Sequence, residues 1–480
     1  MRKKLFVLFA ILLLIGLITV ATFVVFNQKG TKPFYVGVTY CGNSSQEAKE
    51  LIDKVNDRVN LFVLASGTIH HVSEVNEIGD YAIDTGLNFA VCHSNTIGYF
   101  EDGETVTIYD WSTVAKQRWN KQFIGVYYMD EPGGKMLDMG VILKETTYQT
   151  KNGNTRITIG NARGTITLTN NTNIDDKSFQ TRVTYYLDGQ IDLNTDDGTT
   201  ITYYANDTIT IKETKYEGYN WYTNVYTTEN ITKYTSPIPS YEEILEQKPI
   251  QNYDDAAVAF INMNKERLES INKKQLNKKA ISVFTSDYGL YWWDYKGGYD
   301  MVLAQLGWNN SIAQEIGLVR GAANLQGKSW GTILTWKYTH PPYLAGGEEM
   351  FEQMKMSYQA GANYVIVFNY SEDPTNPNTL QEEHFLALER FWNEVAQNPD
   401  VTHGDAKAEA ALVLPENYGW GMRNPDDIIW GIWSTDDTSQ EIWSQLQNRI
   451  DQHGLKLDIV FEKPGFLSGN YKHVYYWDQK

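Results

Sequence analysis

Cysteine is nearly absent from this chain: Cys41 and Cys92 are the only two in 480 residues. Two thiols exclude a disulfide framework, and their spacing suits no metal site. Both follow expected strands, which puts them at one end of a sheet as buried thiols. Basic residues are also scarce, 41 Lys and Arg against 59 Asp and Glu, for a formal charge of -18. A nucleic-acid face needs clustered Lys and Arg, so no nucleic-acid partner is expected, nor docking on an anionic lipid surface. No G-x-G-x-x-G or P-loop pattern follows the first expected strand, and no G-x-S-x-G elbow occurs. His70, His71 and His93 lack partners at metal-ligand spacing, so neither metal nor cofactor is expected.

Long apolar runs are lacking with one exception. Residues 5–26 form an uncharged stretch of 22 residues behind Arg2, Lys3 and Lys4. That is enough to cross a hydrocarbon core of ~30 Å as a helix. The positive flank stays cytoplasmic, so the remainder is expected outside on a single-pass anchor. A cleaved signal peptide is the alternative, but its apolar region is normally ~7–15 residues with a small-residue cleavage site. Asn-x-Ser/Thr sequons at Asn43, Asn170, Asn206, Asn230, Asn309 and Asn369 fit an external location, as mild support.

What is present is globular composition, 42% hydrophobic and 21% charged, which excludes wholesale disorder. The length suggests roughly two to four domains, although large barrels run beyond 200 residues as one. Aromatic residues are abundant: 14 Trp, 32 Tyr and 18 Phe. A core uses some, and so does a surface that stacks on flat apolar ligand faces.

After a tether to residue 33, apolar strands alternate with amphipathic helices. Strands are expected at 34–40, 61–65, 87–92 and 123–129, with helices at 45–59, 71–84 and 111–121. From 141 to 236 the pattern changes to Thr-, Asn- and Tyr-rich alternation, punctuated by Asn152-Gly153, Asp188-Gly189 and Asp197-Gly198. These are hairpin signals, and they predict an antiparallel insertion. The first rhythm then resumes: a helix at 253–277, strands at 280–286, 300–306, 330–338 and 363–370, and helices at 312–325, 348–360 and 380–396. Eight buried parallel strands, each followed by a helix, predict a (β/α)8 TIM barrel; a doubly wound sheet is the alternative. Residues 399–480 read as a small α/β C-terminal unit. The expected organisation is therefore 1–33, a barrel half at 34–140, the insertion at 141–236, the second barrel half at 237–398, and 399–480.

In a barrel the chemistry sits at the C-terminal ends of the strands. The fourth strand ends in Tyr127-Tyr128-Met129-Asp130-Glu131-Pro132. A strand-end carboxyl framed by aromatics has its pKa raised by desolvation, which suits a general acid; capping the turn, or pairing with Lys135, is the competing role. Asp287, at the end of the adjacent fifth strand, is the best second carboxylate, although strand parity allows it to face the helices instead. Asp294, Asp300, Glu372 and Asp373 are reserves. Tyr40, Tyr288, Trp292, Trp293, Trp308, Trp336 and Tyr370 fall at or beyond strand ends, where rings stack on sugar faces. His93, Asn95, Lys337 and Asn369 could supply hydrogen bonds to hydroxyls. A carbohydrate is the expected partner.

The Asp-Glu-Pro ending of the fourth strand resembles the acid/base motif of the large (β/α)8 glycoside hydrolase clan, whose fourth strand usually ends Asn-Glu-Pro. The resemblance implies that Glu131 is the proton donor and that Asp130 replaces the usual Asn. It covers residues 34–398 on a three-residue motif. One departure concerns the clan's nucleophile, a Glu ending the seventh strand. Here that strand ends Thr335-Trp336-Lys337-Tyr338, and the nearest acids, Glu348 and Glu349, open the next helix. The C-terminal unit resembles, in outline, the flavodoxin-like domain that follows the barrel in some β-galactosidases. The function expected is a membrane-anchored, outward-facing glycoside hydrolase. The alternative is a non-catalytic carbohydrate-binding or envelope protein on the same scaffold.

Overall fold

The computed structural model describes residues 33–139 and 251–479, apart from positions 70, 94–98, 102–103, 273–280, 309, 374–377 and 463–469, together with the strand backbones between 145 and 227. Eight strands pair in parallel: β1 (Tyr35–Tyr40), β2 (Leu61–Leu64), β3 (Asn88–His93), β4 (Phe123–Tyr128), β5 (Val283–Asp287), β6 (Met301–Leu306), β7 (Ser329–Leu334) and β8 (Tyr364–Val367). Each pairs with its neighbours in chain order, and β8 closes on β1 to complete a barrel. This is the architecture that the resemblance implies. The strands read as continuous apolar runs because both faces are covered. Residues such as Leu61, Val63, Phe284, Leu303 and Ile366 fill the interior, while Val36, Phe62, Val302 and Val365 meet the surrounding helices.

Some of the helices begin at a side-chain cap. α1 (Ser45–Val55) opens on Ser44, whose side chain accepts from Glu47 N–H, and buries Ala48, Leu51, Ile52 and Val55. α2 (Val72–Asp84) follows β2, and α3 (Ile108–Trp119) is capped by Thr107. α4 (Pro132–Met139) and α6 (Tyr291–Gly297) are short helices directly after β4 and β5. Their starts read as turns in the sequence, because Pro132-Gly133-Gly134 and Gly289 break a helical pattern. α5 (Tyr253–Asn272) precedes β5. α7 (Ile312–Gln326), α8 (Gly347–Ala360) and α9 (Glu382–Phe391) follow β6, β7 and β8. β7 stops at Leu334, four residues short of the predicted end, so Thr335 to Tyr338 belong to the mouth loop.

One irregularity sets the site. The β3–β4 register slips between Phe89 and Ala90, and Gly125 sits at φ +148 opposite Ala90. A Cβ there would lie 2.2 Å from the Ser282 carbonyl oxygen, so only glycine fits. The extra residue reverses the parity of β4. Tyr127 therefore faces the barrel interior, while Val126 and Tyr128 face the helices.

The insertion forms a two-stranded hairpin (Glu145–Thr150 with Gly153–Thr158) and a seven-stranded antiparallel sheet. Its order follows the chain from Asn161–Ala162 to Asn220–Thr227. The expected turn residues Asn152, Asp188, Gly189, Asp197 and Gly198 lie outside the described residues, as does the apolar run 5–26. Among the described residues no helix is long and apolar enough to cross a membrane.

At the C-terminus, β9 (Ala410–Leu414), β10 (Leu457–Phe461) and β11 (His473–Tyr476) form a parallel sheet in the order β10-β9-β11, with α10 (Asp437–His453) between β9 and β10. This sheet shares one core with the barrel's outer layer. The Trp293 ring lies 4.5 Å from Phe461 and 4.8 Å from Trp430. Arg320 of α7 is buried against Asp458 of β10 at 2.7 Å, and it also donates to the Leu455 and Leu457 carbonyls.

Candidate active site

The turn after β4 is held from three sides. Met129 (φ +60) and Glu131 (φ +52) are both left-handed, a conformation that costs non-glycine residues about 1–3 kcal/mol and persists only where the surroundings impose it. Here Thr285 Oγ1 donates to the Met129 carbonyl, Glu131 N–H donates to the Ser286 carbonyl at 3.0 Å, and Lys135 Nζ donates to the Asp130 carbonyl at 2.6 Å. The next two residues explain their own identity. Gly133 and Gly134 N–H donate to Asp287 Oδ2 and Oδ1 at 2.6 and 2.7 Å. A Cβ on Gly133 would sit 2.7 Å from that carboxylate, and one on Gly134 would sit 2.3 Å from the Tyr288 ring. The double reversal turns the side chains of Asp130 and Glu131, consecutive in the chain, toward the same barrel mouth.

Two adjoining cavities open there, and Asp130 lines both. The first, of about 240 Å³, is lined by Glu131, Tyr127, Ser286, Gln305, Thr335, Trp308, Trp336 and Tyr370. The second, of about 270 Å³, is mostly apolar, with Val63, Leu303, Ile333, Ile366 and Phe368 in its wall beside Cys41 and Cys92. A polar chain runs between the two acids. Tyr127 OH donates to Asp130 Oδ1, and Ser286 Oγ lies 2.6 Å from the Tyr127 oxygen and 3.2 Å from Asp130 Oδ1. Gln305 Nε2 donates to Ser286 Oγ at 2.9 Å and to Glu131 Oε1 at 2.7 Å.

Burial is the main cause of a rise in the Glu131 pKa to about 7, with the nearby Asp130 charge adding to it and the Gln305 hydrogen bond opposing it. Such a carboxyl can give up or take a proton near neutrality. Burial pushes the Cys41 thiol up to about 12 and the Cys92 thiol well above its usual value, so both are neutral; neither is disulfide-bonded. Among the described residues no group of three or more His, Cys, Asp and Glu could hold a metal ion.

The structure sorts the residues singled out in the sequence. Asp130, Glu131, Trp308, Trp336 and Tyr370 meet at the mouth. The Trp336 and Tyr370 rings are parallel to within 2° at 5.7 Å, and Trp308 packs edge-on at 6.2 Å with 45% of its surface exposed. Asp287 lies on the outward face of β5 and is fully buried, with both oxygens occupied by Gly133, Gly134 and Tyr288 N–H groups. Parity thus sends Phe284 and Ser286, not Asp287, into the barrel. Asp294 is a buried neighbour of Asp287. Burial and the Asp287 charge raise its pKa well above the carboxylate range.

Several others also sit away from the cavities. Tyr40 is fully buried and its hydroxyl donates to the Ser44 carbonyl and Glu47. Trp292 and Trp293 pack between barrel and C-terminal sheet. Tyr288 donates to Asp138 and has Arg423 over its ring. Asn369 is buried, its Oδ1 tying down Thr379 and Leu380 N–H. Lys337 pairs with Glu349 at 2.6 Å. Asp300 accepts from Val283 N–H at the opposite end of β5, and Glu372 and Asp373 are exposed beyond β8. The His93 side chain and Asn95 lie outside the described residues. The sequence singles out neither Ser286 nor Gln305, and it shows Tyr127 only as an aromatic framing the two acids; the glycine inside β4 is the signal for its inward turn.

No protein-family model and no curated protein matches the chain. Among solved structures, GH5_18 from Streptomyces cattleya in complex with Manb1-4GlcNAc matches at 9% identity and TM-score 0.43, covering 93% of this chain and 99% of that one. Its complex with GlcNAc matches at 8% identity with the same TM-score and coverage. Cryptosporidium parvum pyruvate kinase matches at 11% identity and TM-score 0.27, covering 82% of this chain and 83% of that one. Similarity this distant bears on neither substrate nor mechanism; the barrel is read from the strand pairing of this chain itself.

Proposed function

We propose that this chain is a glycoside hydrolase in which Glu131 is the general acid and Asp130, not Asp287, is the second carboxylate of the reaction. The supporting observation is that two strained backbone positions aim consecutive carboxyl groups into the barrel mouth, one of them with its pKa raised to about 7. Protonated Glu131 gives its proton to the leaving glycosidic oxygen as the C1–O bond breaks. Trp308 and the Trp336–Tyr370 pair offer faces for sugar rings at the mouth. The same proposal places the barrel outside a membrane, held by residues 5–26; support comes from the length of that run and its basic flank.

The test is a glycan screen with the purified chain beside Glu131→Gln. Hydrolysis by the wild type should fall by at least about a hundredfold in the variant, the scale of a lost general acid. Retained hydrolysis would remove Glu131 from the mechanism. The seventh strand ends without an acid, which favours a second reading, a carbohydrate-binding protein without catalysis. Glycan binding in calorimetry with no product from any substrate would support it.

A further inference from the structure

Resting on the glycoside hydrolase reading, we infer that the substrate is a 2-acetamido sugar, whose own N-acetyl group is the nucleophile. An enzymic nucleophile must approach C1 from the side opposite the acid. Asp130 and Glu131 are neighbours on one strand end and reach the mouth from the same side. They are the only acids lining either cavity among the described residues. That arrangement cannot bracket C1. It suits a reaction in which attack from the far face is supplied by the substrate.

The surroundings of Asp130 point the same way. Glu131 lines only the first cavity, but Asp130 sits where the first meets the second. A glycosidic oxygen beside Glu131 therefore places the C2 substituent over Asp130 and into the apolar cavity of Val63, Leu303, Ile333, Ile366 and Phe368. An acetyl methyl reaches past Asp130 and is buried favourably against those walls, whereas a C2 hydroxyl, even when it donates to Asp130, leaves them unfilled. Asp130 Oδ1 is occupied by Tyr127 and Ser286, and among the described residues no donor reaches Oδ2, which is left to accept the acetamido N–H.

In the first step Glu131 gives its proton to the glycosidic oxygen and the C1–O bond breaks. The acetamido carbonyl oxygen bonds to C1, and Asp130 accepts the hydrogen bond from the now positive N–H. In the second step water attacks C1 and gives a proton to the Glu131 carboxylate. The C1–O bond of the ring so formed breaks, which restores both the acetamide and the acid. Ring closure needs the acetamido group trans to the leaving group, hence a β-glycoside of N-acetylglucosamine or N-acetylgalactosamine.

The experiment compares matched pairs on the full chain: 4-nitrophenyl β-glycosides of N-acetylglucosamine and glucose, and chitohexaose with cellohexaose. N-fluoroacetylated analogues and a GlcNAc-thiazoline inhibitor are added. Expected are a preference in kcat/KM of at least about a hundredfold for the acetamido member and retention at C1. A rate that falls with each added fluorine, competitive inhibition by the thiazoline, and loss of turnover in Asp130→Asn complete the expected pattern. Equal cleavage of the 2-hydroxy partners, or inversion, with Glu131→Gln inactive, would overturn the substrate class and leave the glycoside hydrolase reading standing. Cleavage of no glycoside would overturn both.

Discussion

Asp287 holds the Glu131 turn through the Gly133 and Gly134 N–H groups and also accepts from its own neighbour Tyr288, so changing it acts on geometry before charge. Asp287→Asn keeps the shape but replaces one acceptor with an amide that cannot accept. A loss of about 2 kcal/mol is expected in denaturant unfolding, the scale of a charged hydrogen bond. On a cleaved glycoside, kcat should fall by about tenfold or more with KM little changed, as for a misplaced acid. A second effect separates this positioning role from plain destabilisation. The Asp287 charge helps to raise the Glu131 pKa. Activity that needs protonated Glu131 should fall as pH rises through about 7 in the wild type. In Asp287→Asn that limb should move to lower pH, and an unmoved limb would deny the electrostatic link.

At the scale of elements, the C-terminal sheet is bound to the barrel by α7. A Cβ on Gly317 or Gly321 would lie 2.8 or 2.7 Å from the Leu457 or Ile459 carbonyl oxygen, so helix and strand touch backbone to backbone. The Arg320–Asp458 pair is buried at this contact. Arg320→Met leaves Asp458 buried without its cation and should cost about 3–5 kcal/mol in urea unfolding. Because the two parts share one core, near-UV and far-UV signals should be lost in a single transition. The eight barrel strands were legible in the sequence as short apolar runs. The helices α4 and α6 were not, because Gly133, Gly134 and Gly289 read as breakers. Their glycines serve close approaches between loops that only contact the folded chain. The direction of Asp287 was equally hidden: period-2 parity offers two faces, and pairing in the closed barrel chooses one.

At the scale of the whole molecule, four buried carboxyls share one signature. Burial raises Asp287 to about 6, Glu131 and Glu315 to about 7, and Asp294 well above the carboxylate range. In the unfolded chain these groups ionise near the usual values of about 4. Between there and their folded values the folded state binds more protons, so stability falls as pH rises. The melting temperature should therefore decline from about pH 4 toward pH 7. Asp294→Asn, which cannot ionise, should flatten that decline in a calorimetric pH series, whereas an unchanged slope would assign it to other groups. The aromatic excess divides at this scale too. Trp308, Trp336 and Tyr370 serve the mouth, while Trp292, Trp293 and Trp430 fill the seam between barrel and C-terminal sheet.

Read alone, the sequence determined the strand–helix alternation that the barrel is built on, and it pointed to an antiparallel insertion after the fourth strand and to the mouth as the place to look for chemistry. Apolar periodicity and turn residues are local properties, and eight strand–helix pairs without a Gly-rich phosphate turn favour a closed parallel barrel over a doubly wound sheet. The sequence also marked Asp130-Glu131 as the acids to watch. Tertiary structure alone decided which side chains meet. The bulge at Gly125 turned Tyr127 inward, closure of β5 against β4 made Asp287 an anchor, and left-handed Met129 and Glu131 aimed both acids at one cavity. Those outcomes depend on contacts between residues far apart in the chain, such as Gly134 with Asp287, 153 apart, and Tyr127 with Ser286, 159 apart, and no local pattern encodes them.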